Sequence, residues 1–433
     1  MSILPLEGLK VLDFCWVAVG PMTTKYLSEY GATVLRVESA KRPETLRRAG
    51  PFAGGQSGIN RSGYFANYNA NKYGLSIDMG HPKAPELILR IAEWADVVTE
   101  NFTPGTLERW GLGYDELSRV NPRIVLFSAS MLGRGGPMQT QPGFGAVLSS
   151  LAGYTNIIGW PDRGPVNPYG AYTDFVCPKF AVAAILAAVD RQRATGCGTH
   201  LDMSQLETSL HFGGPMLLDA AVNGREPELV GNRHPAASPH GAYPCAPELH
   251  SARGEPVEPS FDQLRMSGGV NTGETDRWIT IAVFTDQQWA ALRDEMAADG
   301  VTDAQSGEFR TFRVRKAHED KLDGIIAGWT ANHDRHELMR RLQAAGVPAG
   351  VVNDTRDLFE DAQLQHRNHF TWLDHPEMGP YATDYTESHL SATPGRLDRP
   401  APLLGQDTEH ALREIVGLSE AEYRELEEAG ALE

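Results

Sequence analysis

Cysteine is scarce: four residues in 433, at positions 15, 177, 197 and 245, with no C-x-x-C pair among them. That spacing gives neither a disulfide framework nor a zinc knuckle, and free thiols in a reducing cytoplasm are expected. Positive charge is also short. Against 56 acidic residues stand 39 basic ones, a net charge of −17, which excludes a general affinity for nucleic acid or an anionic membrane surface. No run of about 18 apolar residues is apparent, and "MSILPLEGLKVLDF" has neither the basic start nor the long apolar stretch of a secretion signal. Histidines 318, 333 and 336 lie among charges on solvated helix faces, so no metal site is expected. The turn "WVAVGP" holds one glycine, Gly20, where a G-x-G-x-x-G fingerprint needs three. A nicotinamide oxidoreductase is therefore excluded.

The chain has the length of two or three domains. Over residues 8–130, strand-like runs ("LKVLDFCWV", "ATVLRVE", "DVVTENF", "RIVLFSAS") alternate with helical spacings ("PMTTKYLSEYG", "APELILRIAEWA"). Such alternation predicts an α/β fold with a parallel sheet and ligand sites at the C-terminal ends of its strands. From residue 174 a helix apolar nearly all round predicts a buried element or a large interface. The expected division is a large Rossmann-like domain beginning with residues 1–222, a smaller α/β domain over 223–340, and a return over 341–433 to the large domain. Residues 246–275 lack periodicity and read as an inserted loop, with a lid over the site as the alternative.

Six stretches in order carry a resemblance: "GLKVLDFCWVAVGPMTTKYLSEYGATVLRVES", "NANKYGLSIDM", "ADVVTENFTPGTLERWGLGYDELSRVNPRIVLFSAS", "YTDFVCPKFAVAAILAAVDRQRATGCGTHLDMSQLE", "GVPAGVVND" and "APLLGQDTEHALREIVGLS". Together they resemble the class III CoA-transferase family, which includes formyl-CoA and carnitine CoA-transferases and, as a divergent branch, α-methylacyl-CoA racemase. The resemblance implies an interlocked dimer, either a homodimer or a heteromer with a related subunit. Its substrates are an acyl-CoA and a carboxylic acid, with no tightly bound cofactor.

On residue types alone, "TD" before an apolar run is an ordinary helix cap. The resemblance makes Asp174 the nucleophile, whose carboxylate becomes an aspartyl-CoA thioester, with the helix N-terminus keeping it ionised. It also implies CoA contacts. Val17 and Ala18 fall in the loop after the first strand, with Ala in place of a frequent Gln. Ser39 falls where a cation often meets the nucleotide phosphates, leaving that task to Arg36 or Lys72. Ile77, Asp78 and Met79 match an adenine-side loop, Asn101, Phe102 and Arg109 the "ENF…R" segment, with Arg109 the favoured phosphate partner. Arg134 lies in the glycine-rich stretch 131–136, either a mobile cover or a surface turn.

A racemase needs a histidine where this chain has Phe144, which disfavours proton shuttling. An acyl-CoA-binding subunit without its own chemistry remains a further alternative. Phe144, Trp160 and Tyr172 are candidates to line an apolar acceptor pocket or to pack in the core, and succinyl-CoA is the expected donor.

Overall fold

Apolar runs separated by amphipathic helices assemble into one parallel sheet in the computed structural model, which describes residues 3–247 and 277–433. The strands are β1 (Lys10–Asp13), β2 (Thr33–Glu38), β3 (Tyr73–Ser76), β4 (Val97–Glu100), β5 (Val125–Ser130) and β6 (Thr199–Ser204), in the order β3-β2-β1-β4-β5-β6. Every pairing in this sheet is parallel. All residues of β4 and β5 are buried, because helices cover both faces, and this explains apolar runs where alternation would mark a one-sided sheet. On one face Leu12, Leu35 and Val98 pack with Ile88 and Ile91 of the Ala84–Trp94 helix. On the other, Val11, Val34 and Phe127 pack with Cys177, Ala181 and Ile185 of the Tyr172–Thr195 helix.

That last helix is buried on one side only within the chain. By length and composition alone it is long and apolar enough to cross a bilayer, yet here one face packs on the sheet while Phe180, Ala183 and Ala187 are exposed. Burial is thus one-sided within a single chain. The cysteines also differ: Cys15, Cys177 and Cys245 are buried free thiols, while Cys197 is exposed.

The chain divides into two compact units, residues 3–156, 166–227 and 362–433 in one, and 157–165 with the described residues of 228–361 in the other. The second unit is built on β7 (His240–Cys245), β8 (Arg277–Ala282) and β9 (Ala349–Val351), paired antiparallel. Its core gathers Ile279 and Ile281 with Trp289, Leu322, Ile326 and Trp329 from the covering helices. Except for its first two residues, the expected insertion 246–275 lies outside the described residues. The returning chain adds a hairpin to the first unit, β10 (Phe370–His375) and β11 (Gly379–Asp384), and its end bridges Leu432 to Ile77 beside β3.

Candidate active site

In this strand order the chain reverses its progression across the sheet between β1 and β4, so the segments leaving their C-terminal ends go to opposite faces and leave a crevice there. β1 ends in Asp13, fully buried. Its carboxylate accepts hydrogen bonds from the Cys15 amide (2.9 Å), Thr99 Oγ1 (3.0 Å) and Thr24 Oγ1 (2.7 Å) and pairs with Lys72 Nζ at 3.2 Å. Burial pushes this carboxyl up, but Lys72, Arg36 and the hydrogen bonds outweigh it and hold Asp13 below its ordinary value. The following loop is strained. Val17 has φ of 67°, the left-handed region that a β-branched residue rarely occupies. It is held there from both sides. The Val17 amide donates to Glu44 Oε1 (2.8 Å), and Glu44 pairs with Arg36 at 2.9 Å. The Asn101 side chain, just past β4, accepts from the Trp16 amide (2.8 Å) and donates to the Trp16 carbonyl (2.7 Å). Gly20 has a packing role instead of a phosphate-binding one, since a Cβ there would lie 2.2 Å from the Cys15 Cβ.

Within this crevice is a cavity of about 170 Å³. At roughly 10–15 Å³ per water-sized group it has room for a thioester terminus and a small acyl group. Its walls come from residues 17–19 after β1, 101–104 after β4, Ser130 and Met131 at the end of β5, Gln205 after β6, and the 141–145 segment. Asp174 completes it.

Asp174 sits in the first turn of the Tyr172–Thr195 helix, but Ala171 is the cap residue, and no side chain caps this helix. A capping role is therefore ruled out. The carboxyl is 8% exposed and has no hydrogen bond or ion pair among the described residues. Burial pushes it up to about 7. Gly145 makes room for it: a Cβ at 145 would lie 2.9 Å from the Asp174 Cγ and 2.4 Å from the Ala171 Cβ.

Five of the residues singled out from the sequence meet at this cavity: Val17, Ala18, Asn101, Phe102 and Asp174. Phe144 lines it too, while Tyr172 packs edge-on against Tyr154 and Phe212, and Trp160 belongs to the other unit. A second group gathers where β2 and β3 end. Ser39 donates to Glu433 Oε2 (2.8 Å), and Lys41 bridges Asp78 (2.6 Å) and Glu433 (3.3 Å), with Met79 half-buried nearby in sequence and Ile77 fully buried beneath. Arg109 is exposed, hydrogen-bonded to Thr106 and free of ion pairs among the described residues. Arg134 stands between Glu100 and Glu108, and its amide donates to Asp202.

Arg36 and Lys72 do not suit the role expected of them. Both side chains have no exposed surface and are taken up inside the unit, Arg36 by Glu38 and Glu44, Lys72 by Asp13, Asn69 and the Pro21 carbonyl. Neither reaches a phosphate. The cations exposed beside that loop are Lys41 and Arg42, the latter over the Trp16 ring at 5.8 Å. Sequence reasoning also missed Ser130 and Gln205. Ser130 is 5% exposed and its hydroxyl has no partner among the described residues. Its place as the final residue of a strand ending at the crevice was the available signal.

Across the chain, the model of CoA-transferase family III matches residues 6–267 and 262–408. The chain belongs to CoA-transferase family III. It is a CoA-transferase, of a family whose substrates are CoA thioesters. Among its family III relatives is the succinyl-CoA–L-malate CoA-transferase beta subunit of Chloroflexus aurantiacus, 29% identical over 98% of this chain and 97% of that one. The succinate–glutarate CoA-transferase of Agrobacterium fabrum is 28% identical over 95% and 96%. In three dimensions the chain is similar to a CAIB/BAIF family protein from Brucella suis, with a TM-score of 0.80 at 26% identity over 96% of this chain and all of that one.

Proposed function

We propose that this CoA-transferase takes CoA from succinyl-CoA and passes it to a carboxylic acid through a thioester formed on Asp174. One observation carries the reading: a buried, unpartnered carboxyl at the crevice of a doubly wound sheet, in a cavity sized for reacting groups. A partnered carboxylate would be a poor nucleophile, and one buried without partners is costly unless it serves chemistry. Ionised Asp174 attacks the donor's thioester carbonyl, giving a mixed anhydride and CoA thiolate. The thiolate attacks the Asp174 carbonyl and releases succinate, leaving aspartyl-CoA. An acceptor carboxylate attacks that thioester, and the returning thiolate takes the acceptor acyl group. No hydrolysis intervenes, so the thioester's free energy is kept. The names of the relatives support succinyl-CoA as the donor to test first.

Arg109 and Arg42, both exposed and without ion pairs among the described residues, are the phosphate partners this reading assigns, in place of Arg36 and Lys72. The racemase alternative lacks a second proton carrier, since Phe144 lines the cavity and no histidine does among the described residues. A second copy of the chain is the proposed partner. It would cover apolar side chains left in water, Phe212 at 61%, Leu218 at 64% and Val222 at 76% exposure.

The test incubates the full chain with succinyl-CoA and hydroxylamine and locates the adduct by mass analysis. The expected result is a hydroxamate on Asp174, absent from Asp174→Ala. Transfer at the wild-type rate by Asp174→Ala refutes the reading, and epimerisation of a 2-methylacyl-CoA without transfer favours the racemase.

A further inference from the structure

Three non-glycine residues stand at positive φ among the described residues: Val17, Asn71 and Asn368. Asparagine enters that region readily, whereas for a β-branched residue it is an outlier that the surroundings must impose. At Val17 three side chains impose it by gripping the two peptide groups that precede its Cα. In the first, the Cys15 carbonyl accepts from Arg36 Nη1 and the Trp16 amide donates to Asn101 Oδ1. In the second, the Trp16 carbonyl accepts from Asn101 Nδ2 and the Val17 amide donates to Glu44 Oε1 at 2.8 Å. Glu44 and Arg36 have no exposed surface and are joined through Glu44 Oε2 at 2.9 Å. The turn they fix runs directly into residues 17–19, which line the same cavity as Asp174.

We infer that Glu44 is a positioning residue for CoA transfer: by holding the Val17 amide against Arg36, it fixes the strained turn that sets the 17–19 wall beside Asp174. The inference rests on that cavity being where transfer occurs, as proposed above.

The chemistry of the side chain suits the task. A carboxylate accepts at both oxygens, and Glu44 faces a donor at each, the Val17 amide at one and the Arg36 guanidinium at the other. Glutamine has the same shape, but one end of its amide donates, so it meets one of those two donors with an N–H group. Glu44 also caps the short helical turn Thr45–Arg48, its Oε1 accepting from the Leu46 amide at 3.2 Å. Capping that turn requires neither Arg36 nor Val17, so the two roles can be parted. Glycine occupies positive φ without strain. With glycine in place of Val17 the turn keeps its shape without a carboxylate to impose it, while the cap and the ion pair still depend on Glu44.

The experiment is a double-substitution cycle on the full chain, with succinyl-CoA and a panel of carboxylic acids, below the melting temperature of every variant. It measures the effect of Glu44→Gln in the wild type and again in the Val17→Gly background. In the wild type, Glu44→Gln lowers kcat by roughly 10–10²-fold, the loss that a displacement on the order of an ångström brings, and KM for succinyl-CoA changes by no more than about threefold. In the Val17→Gly background the same substitution lowers kcat by no more than about threefold. The melting temperature falls on Glu44→Gln in both backgrounds, since the buried ion pair is broken in each. Rate is rescued without stability, which a merely structural role does not produce. Should Glu44→Gln not fold, Glu44→Asp, whose carboxylate is one methylene further from the Val17 amide, enters the same cycle. An equal fall of kcat in both backgrounds, or wild-type kcat for the single variant, alongside normal trapping on Asp174, overturns the role of Glu44 alone. A wild type that neither transfers CoA nor traps on Asp174 overturns the proposed transfer and this inference together.

Discussion

At the scale of the residue, the burial that leaves Asp174 unpartnered in the proposed mechanism also makes it expensive to ionise. Burial pushes its carboxyl up to about 7, so the ionised form dominates only above neutrality. With succinyl-CoA saturating, initial rates are expected to rise from pH 5.5 to about 7 and level beyond it; a flat profile across that range would contradict a protonated resting state. Folding stability has the opposite slope. Between about 4 and 7 the folded chain keeps a proton on this group that the unfolded chain has lost, so this term weakens stability as pH rises. Asp174→Asn should therefore melt higher than wild type at pH 8, by up to about 4 kcal/mol at roughly 1.4 kcal/mol per pH unit, and match it near pH 4, while losing transfer altogether. That Asp174 belongs to the cavity was legible because a motif surrounds it. Arg36 and Lys72 were not: in sequence a buried cation and an exposed one look alike, and only the fold brings Glu38, Glu44 and Asp13 against them.

At the scale of the element, the site depends on one close approach of backbone and on one strained loop. Gly145 opens the helix Gly145–Leu151 directly against Asp174, and a methyl group there would collide with Ala171 and the carboxyl. Gly145→Ala is expected to cost about 1–3 kcal/mol through overpacking and, by displacing the proposed nucleophile by a fraction of an ångström to an ångström, up to ~10²-fold in kcat. Thermal melting and initial rates on one preparation separate the two effects; full activity would mean that the carboxyl works from another position. The buried Glu44–Arg36 pair does for the loop after β1 what a glycine usually does, holding Val17 at positive φ. Four strands and their helices were readable because two-sided burial leaves apolar runs. β3 was not read as a strand, because Gly74 and Ser76 interrupt its pattern. Nor was the β10–β11 hairpin, whose residues are mostly polar or half-exposed.

At the scale of the whole molecule, two forces oppose each other in any association with a second copy. Each chain carries a net charge of −17, so copies repel at long range. Against this stands the apolar surface of Phe180, Phe212, Leu218 and Val222, all in the first unit. Apolar burial is insensitive to moderate salt, whereas repulsion is screened with a Debye length that shrinks from roughly 30 Å at 0.01 M to about 8 Å at 0.15 M ionic strength. Dimerisation driven by this surface should therefore tighten as salt is raised across that range, by light scattering or sedimentation at fixed protein concentration. Replacing both Leu218 and Val222 with lysine should weaken it even though the change lowers the net negative charge and with it the repulsion. That sign is the discriminating feature: a purely electrostatic account predicts tighter association for the double-lysine variant. Dissociation on adding salt would mean that ion pairs hold the copies together and that the exposed apolar residues lie elsewhere than the interface.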